Sequence, residues 1–210
     1  TGTLQYETLV SESLFTSEDL ENHLNKIGIK VTPALGFNNT YAIGMPESRA
    51  SELKIENISD LQNFPDLKFG FGNEFLNRAD GWPALREIYS LPQKNIRGLD
   101  HDLAYRGLTS NSIDVIDLYS TDAEIKYYNI AVLKDDKNLF PEYQALFVYR
   151  KEIQEQYPDY IAALNALSGK ISDTEMVKMN AAVKIEKEQD RKVGADFLNK
   201  NLSLDIKMDK

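Results

Sequence analysis

The sequence predicts an α/β fold in which mostly parallel strands are covered by helices on both faces. Segments with the apolar spacing of a helix alternate along the chain with apolar segments of strand length. The 210 residues, of which 42% are hydrophobic, are enough for one substantial core or for two smaller lobes. The sequence shows no internal repeat and no long flexible linker. Any division into lobes must therefore be made by strands that cross between them.

The first part of the chain is predicted to form a helix, a strand, a short helix and a second strand. Residues 16–27 begin with an N-cap pattern and continue with apolar residues at helical spacing, and Gly28 ends this helix. The apolar residues of 31–45 predict a strand that polar side chains interrupt. Residues 58–61 predict a capped short helix, and the alternation in 67–72 predicts a strand.

The middle of the chain continues this alternation. Residues 81–89 predict a helix that opens with Trp-Pro, and residues 102–108 predict a short helix. Residues 113–118 and 130–133 are apolar runs of strand length, and residues 142–150 are predicted to be mainly extended.

The last part of the chain is predicted to be helical. Residues 152–168 carry apolar residues on one helical face, and Gly169 is the predicted stop. Residues 172–175 (SDTE) form a capping-box pattern that opens a helix to about residue 186. A final helix is predicted over residues 190–201.

Composition excludes several classes of function. The formal net charge is −9, with 24 Lys+Arg against 33 Asp+Glu, so the chain lacks the basic surface that nucleic acid or an anionic membrane would require. The absence of cysteine excludes disulfides, thiolate zinc sites and cysteine nucleophiles. No apolar run approaches the roughly 20 residues that cross a bilayer.

Catalytic motifs are poorly represented. The two histidines, His23 and His101, give no histidine zinc site and no supported Ser-His-Asp set, and we interpret both as surface residues. The acids of 114–122 lack the ligand spacing of an EF-hand loop, and the chain has no P-loop and no G-x-G-x-x-G motif. These acids leave open a hydrolase or synthase that uses an acid/base pair.

Polar and aromatic side chains break the apolar pattern at three predicted strand ends, in residues 38–41, 73–80 and 117–122. Ligands of open α/β sheets bind beyond the carboxyl ends of the strands, where such residues converge. Tyrosine rings attract weakly hydrated cations through their negative faces, and arginine can bind a carboxylate with two hydrogen bonds. Together these residues predict a site for a small zwitterion.

Five separated blocks carry a resemblance to a known family: 35–42 (LGFNNTYA), 72–81 (GNEFLNRADG), 114–122 (DVIDLYSTD), 133–136 (LKDD) and 164–172 (LNALSGKIS). These blocks resemble the substrate-binding proteins of bacterial ABC transporters for glycine betaine, choline, carnitine and related osmoprotectants. The resemblance spans nearly the whole chain.

The resemblance implies a two-lobed fold of the type II periplasmic-binding-protein kind, with a hinge of crossing strands and no enzymatic activity, cofactor or metal. It implies that the protein captures a quaternary ammonium ligand in an aromatic box and passes it to a membrane permease. The location it implies is extracytoplasmic, either periplasmic or anchored at the cell surface, with fusion to the permease as a further option.

The resemblance also implies site residues, which can be carried over one by one. The tyrosines match box residues, the arginine and Thr3 match contacts to a ligand carboxylate, and an asparagine and a glutamate match polar positions that support the pocket. The implied ligand-binding residues are Tyr41, Tyr119, Tyr143, Arg78, Thr3, Asn39 and Glu74.

Members of the family begin with a strand and helix that would precede the first residue of this chain. We therefore expect residues 1–37 and 141–210 to form an incomplete first lobe and residues 38–140 to form a complete second lobe. Domain swapping or a second chain could complete the first lobe. The main alternative function is the effector-binding domain of a transcription regulator, which shares the two-lobed fold.

Overall fold

The computed structural model describes residues 17–207. Its helices, in chain order, are α1 (Ser17–Lys26), α2 (Glu47–Leu53), α3 (Asn73–Asn77), α4 (Trp82–Tyr89), α5 (His101–Thr109), α6 (Glu124–Tyr127), α7 (Lys151–Gln156), α8 (Pro158–Asn165), α9 (Asp173–Lys184) and α10 (Asp190–Leu202). A 3₁₀ helix spans Ile58–Asn63. The strands are β1 (Ile29–Val31), β2 (Tyr41–Pro46), β3 (Phe69–Gly72), β4 (Ile96–Leu99), β5 (Val115–Tyr119), β6 (Ile130–Leu133) and β7 (Val148–Arg150).

The chain divides into two compact units. Unit 1 comprises residues 1–39 and 142–210, and unit 2 comprises residues 40–141. The sequence placed the two lobe boundaries after residues 37 and 140. The identification of these units with the two lobes of a binding protein stays a prediction.

Unit 2 is built on a five-stranded sheet with strand order β4-β3-β5-β2-β6. Strand β3 pairs in parallel with β4 and β5, whereas β2 pairs antiparallel with both β5 and β6. Four strands therefore run in one direction and β2 runs against them. The prediction of mostly parallel strands holds for direction, but two of the four neighbouring pairs are antiparallel, because β2 enters the sheet directly from unit 1 and not through a helical crossover.

The core of unit 2 contains large aromatic side chains. The sequence favours Phe69 and Phe71 on β3 as core residues over an aromatic cage, and both are fully buried. Their rings lie 5.8 and 5.4 Å from the ring of Trp82 at the start of α4. Ile43 and Met45 on β2 are also fully buried. This core holds the carboxyl ends of β3 and β5 in place, where the polar segments follow.

Local signals explain several element ends. Gly28 follows α1 with a φ of +77°, a left-handed conformation that ends the helix. The Ser172 hydroxyl accepts a hydrogen bond from the backbone N–H of Glu175 (3.3 Å), which confirms the predicted cap of α9. Asp60 caps the 3₁₀ helix by accepting from the backbone N–H of Asn57 (2.8 Å).

Other elements differ from the prediction. Strand β4 was not predicted because its sequence, IRGL, contains a charge and a glycine in an edge strand. Helix α3 lies within residues 73–80, which were interpreted as a polar segment beyond a strand end. The segment 142–150 agrees with the predicted extended chain, since it contains β7 and an antiparallel bridge from Gln144 to Asn38. The helical spacing of Tyr157 and Tyr160 is typical of packing residues, but the two side chains are 59% and 62% exposed, and α8 buries Ile161 instead.

In its described residues, unit 1 has a smaller sheet than unit 2. Strands β1 and β7 form a two-stranded antiparallel sheet, and α9 packs against α10. Its buried residues are Leu20, Leu24, Thr32, Leu35, Tyr143, Ile161, Ile171 and Ala195. Within residues 17–207, no helix is both long enough and apolar enough to cross a membrane.

Candidate functional site

Two predicted site residues face each other across a strand pair in unit 2. Tyr41 opens β2 and Tyr119 ends β5, and the antiparallel register places them directly opposite each other. Their rings are stacked, with centroids 5.2 Å apart and planes 29° apart. Directly opposed residues of an antiparallel pair share a face, so this register places the two tyrosine rings side by side at the sheet end.

Two phenylalanine rings pack against Tyr41 of this pair. The ring of Phe75, on α3, lies 5.0 Å from the ring of Tyr41 at 62°, and the ring of Phe140 lies 6.1 Å from it at 49°. Phe75 also contacts the core ring of Phe71 at 5.1 Å. Tyr41 is therefore only 5% exposed and is held by the sheet core. Phe75 and Phe140 were not predicted as parts of the site.

Both phenols stay neutral over the physiological range. Burial raises the pKa of Tyr41 and of Tyr119, and the nearby Glu74 carboxylate adds to both shifts. A hydrogen bond between the two side chains raises the pKa of Tyr41 further and lowers that of Tyr119, as expected if Tyr41 donates. The stacked pair therefore consists of two neutral rings.

Arg78, directly after α3, carries the positive charge of this region. Its Nε and Nη2 donate to the two oxygens of Asp80 at 2.8 and 2.7 Å, a two-point ion pair. Its Nη1 lies 3.6 Å from Oε1 of Glu74. The Asp80 side chain is 2% exposed and the Glu74 side chain 66%. The buried Asp80 carboxylate therefore holds the Arg78 guanidinium, and the exposed Glu74 lies near its other side-chain nitrogen.

His101 was predicted to be a surface residue, but it is partly buried and anchors the end of β5. Its Nε2 lies 2.9 Å from Oδ2 of Asp122, and its ring lies 5.1 Å from the ring of Tyr119. The same Asp122 oxygen accepts from the backbone N–H of Tyr119 (2.9 Å) and from the Tyr105 hydroxyl (2.8 Å). No sequence signal indicated this cluster, because α5 and the turn after β5 come into contact only when the sheet has formed.

Hydrogen bonds shift the pKa of Asp122. Burial by itself would raise this pKa, but the bonds from His101, from the Tyr119 backbone and from Tyr105 together lower it. The carboxylate is therefore a charged anchor for the turn that carries Tyr119.

Two neighbouring acids, which the sequence analysis considered for an acid/base pair, accept hydrogen bonds from backbone N–H groups. Asp117 accepts from the N–H of Gly72 at 2.6 Å, and its burial raises its pKa. Asp114 accepts from the N–H of Lys68 at 2.8 Å. Within residues 17–207 no group of three or more His, Asp or Glu side chains is arranged to hold a metal ion.

In unit 1, two further predicted residues lie side by side. The backbone N–H of Asn39 donates to the carbonyl of Tyr143 (3.1 Å), and the N–H of Tyr143 donates to Oδ1 of Asn38 (2.6 Å). The N–H of Asn38 donates to Asp173 (2.7 Å). These bonds occupy the backbone N–H groups of Asn38 and Asn39 and the side-chain oxygen of Asn38.

The structure thus brings four predicted residues together in unit 2, namely Tyr41, Glu74, Arg78 and Tyr119, and two together in unit 1, Asn39 and Tyr143. Thr3 lies outside the described residues.

Comparison with known sequences places the chain among transport proteins. Residues 3–200 match the family model described as the substrate binding domain of ABC-type glycine betaine transport system. A Helicobacter pylori protein named ergothioneine transport permease/ergothioneine binding protein is 38% identical over 79% of this chain. A glycine-betaine-binding protein of Pseudomonas aeruginosa is 35% identical over 80% of this chain. The chain spans 30% of the length of the first relative and 58% of the second.

Comparison with solved structures agrees. The crystal structure of a glycine betaine/carnitine/choline ABC transporter protein superposes with a TM-score of 0.73 at 30% identity, over 95% of this chain and 75% of that one. A choline binding protein solved with choline matches at 12% identity with a TM-score of 0.63, over 97% of this chain and 77% of that one. The second match bears on the fold alone. These neighbours confirm the predicted fold of the type II periplasmic-binding-protein kind.

Proposed function

Because the chain belongs to the family of the substrate-binding domains of ABC-type glycine betaine transport systems, we propose that it binds a quaternary ammonium solute of the glycine betaine, choline or carnitine class. We propose further that it delivers this solute to the permease of an ABC transporter. The family consists of solute-binding transport proteins and is not an enzyme class. The match favours transport over an effector-binding domain of a transcription regulator.

The observation that carries the proposal is the stacked pair of Tyr41 and Tyr119, 5.2 Å apart at the sheet end. A trimethylammonium group has no N–H to donate and is weakly hydrated, so its best partners are the negative faces of aromatic rings. Neutral rings held by a rigid core lose little side-chain entropy when such a cation binds. Tyr143 contributes a further ring in this proposal.

The polar residues near the rings give a second element of recognition. Arg78 is charged and oriented by Asp80, and its side chain is 13% exposed. We propose that Arg78 and Thr3 bind the carboxylate of a betaine ligand. In this proposal Asn39 supports the pocket through its backbone bond to Tyr143, and Glu74 supports it from α3.

The identity of the first relative adds a ligand to this class. Ergothioneine is itself a trimethylammonium betaine with a carboxylate, and the Helicobacter pylori relative is named for it. We therefore include it beside glycine betaine, choline and carnitine. The name of that relative also joins a permease with a binding protein, and we propose an extracytoplasmic location, either periplasmic, anchored at the cell surface or fused to the permease.

Calorimetric titration with the four ligands tests the proposal. We expect saturable binding to at least one of them, and Tyr41→Ala or Tyr119→Ala to weaken it about tenfold each, as the loss of one cation–ring contact implies. Tyr160→Ala is the matched control, because that tyrosine is 62% exposed on α8 of unit 1. Unchanged affinity in both box variants would contradict the aromatic site.

The role of the arginine is tested by the difference between two ligands. Arg78→Gln removes the charge that a ligand carboxylate needs, so we expect weaker binding of glycine betaine and little change for choline, which has no carboxylate. Equal losses for both ligands would mean that Arg78 supports the fold and does not contact the carboxylate.

A further inference from the structure

The block LKDD at residues 133–136 matched the family without a role in the site. Its first acid, Asp135, lies after β6 at the start of the loop of residues 135–140, and its side chain binds the backbone of that loop. Oδ1 of Asp135 accepts from the backbone N–H of Leu139 (3.0 Å), and Oδ2 accepts from the N–H of Phe140 (2.8 Å). One carboxylate thus fixes the backbone four and five residues further along the chain.

This loop is also tied to the core. The hydroxyl of Tyr89, a fully buried residue at the end of α4, donates to Oδ1 of Asp135. The backbone N–H of Lys137 donates to the same hydroxyl (2.8 Å), and the Lys137 ammonium lies 5.0 Å above the Tyr89 ring and donates to the carbonyl of Ile88 (2.8 Å). Three contacts therefore join residues 135 and 137 to the buried Tyr89 side chain, and a fourth joins Lys137 to the backbone of Ile88.

Two contacts connect this loop with Tyr41 and with the residue that precedes it. The Phe140 ring lies 6.1 Å from Tyr41 and 6.2 Å from Phe75. The next residue, Pro141, accepts a hydrogen bond through its carbonyl from the Thr40 hydroxyl (3.1 Å), and Thr40 directly precedes Tyr41. Whatever places Phe140 and Pro141 therefore also restrains the ring and the backbone of Tyr41.

We propose that Asp135 is a positioning residue for the ligand site, acting through Phe140 on Tyr41. The inference rests on the proposed function, since it assumes that Tyr41 binds the ligand. Asp135 makes no ligand contact itself in this account. It holds the loop so that the ring of Phe140 supports Tyr41 in the orientation that a cation needs, which is the preorganisation on which affinity depends.

The chain contains its own matched control. Asp136 is the neighbouring acid, but its carboxylate accepts from the backbone N–H of Ser59 (3.2 Å), at the 3₁₀ helix. Asp135→Asn and Asp136→Asn make the same chemical change one residue apart. Tyr89→Phe is a third variant, which removes only the hydroxyl that ties the loop to the core.

The experiment combines ligand titration with proton NMR of the whole chain. We expect Asp135→Asn to weaken binding of the preferred ligand about threefold to tenfold, in the range of one aromatic pair, and to weaken the cross-relaxation between the Phe140 and Tyr41 rings. Tyr89→Phe should show the same changes to a smaller degree. Asp136→Asn should change neither quantity, although it can lower thermal stability.

A double-mutant cycle with Phe140→Leu separates positioning from general destabilisation. If Asp135 acts through Phe140, adding Asp135→Asn to Phe140→Leu costs little further affinity. Additive losses, or intact ring contacts with unchanged affinity in Asp135→Asn, would overturn the proposal. If the wild-type chain binds none of the four ligands, the proposed function is wrong and the ligand role of Asp135 falls with it. The ring contact would still report whether Asp135 places Phe140.

Discussion

The two units hold their candidate site residues by different means. In unit 2, Tyr41 lies against Phe75 and Phe140, and a fully buried sheet core stands behind them. In unit 1, Tyr143 is buried but is held by backbone hydrogen bonds to Asn38 and Asn39. Side-chain burial is non-directional and depends on volume, whereas a backbone hydrogen bond depends on local conformation. Substitutions that disturb one unit should therefore act by a different mechanism in the other.

The largest expected effect is on the core of unit 2. Phe71→Ala removes a fully buried ring, so we expect the free energy of unfolding to fall by about 3–5 kcal/mol. Ile161→Ala, at a buried position of α8 in unit 1, should cost about 2 kcal/mol, at the low end for such a residue. Urea titration of both variants measures the difference. Equal costs would mean that the unit 1 core is as tightly packed as that of unit 2.

Buried and exposed carboxylates give the next contrast. Asp122→Ala leaves His101, the Tyr105 hydroxyl and a backbone N–H without their acceptor, and we expect a loss of about 2–3 kcal/mol. Asp173→Ala in unit 1 removes an exposed acceptor of the Asn38 N–H, with an expected loss of about 1 kcal/mol. Thermal unfolding of both variants checks the order, and a reversed order would break the comparison.

A glycine pair tests whether unit 1 depends on backbone conformation. Gly36 has a φ of +118°, and a Cβ there would lie 2.8 Å from the carbonyl oxygen of Ile171, so we expect Gly36→Ala to cost about 2 kcal/mol. Gly28 has a φ of +77° and open space around it, so Gly28→Ala should cost about 1 kcal/mol. Equal costs would show that conformation matters and the close approach does not. Chemical denaturation of the two variants provides the measurement.

The smallest expected effect is on the pH dependence of stability in acid. The pKa of Asp122 is lower in the folded chain than in the unfolded chain, so its contribution is fully present above the unfolded value of about 4 and is lost as the pH falls through the folded value. Asp122→Asn should therefore flatten the stability profile below about pH 4. The pKa of Asp117 is raised by burial, so its ionisation opposes folding as the pH rises through its folded value. Asp117→Asn should not flatten the acid limb, and it serves as the control.

Much of the fold could be predicted because its signals are local. The cap at Ser172, the stop at Gly28 and the apolar run of β6 each depend on residues close in sequence, and the structure confirms them. Strand β4 and helix α3 escaped prediction, since an edge strand needs no apolar run and a five-residue helix has too few turns for a periodic pattern.

The candidate site was predicted only in part. The tyrosines and the arginine came from the resemblance to a family, and their roles stay a prediction. Phe75, Phe140 and His101 were missed, because their sequence neighbours do not reveal which rings they meet. Tyr157 and Tyr160 were wrongly interpreted as packing residues for the same reason.

The α/β class, most of the helices and strands, and the family follow from the amino-acid sequence, because caps, glycine stops, apolar periodicity and motif blocks are properties of short segments. The sheet order and the antiparallel direction of β2 emerge only in the folded chain. The same holds for the pairing of Tyr41 with Tyr119 and for the hydrogen bond that joins Asp135 to Phe140. These arrangements join residues far apart in the chain, and their stability comes from burial and hydrogen bonds that exist only after the whole sheet has formed.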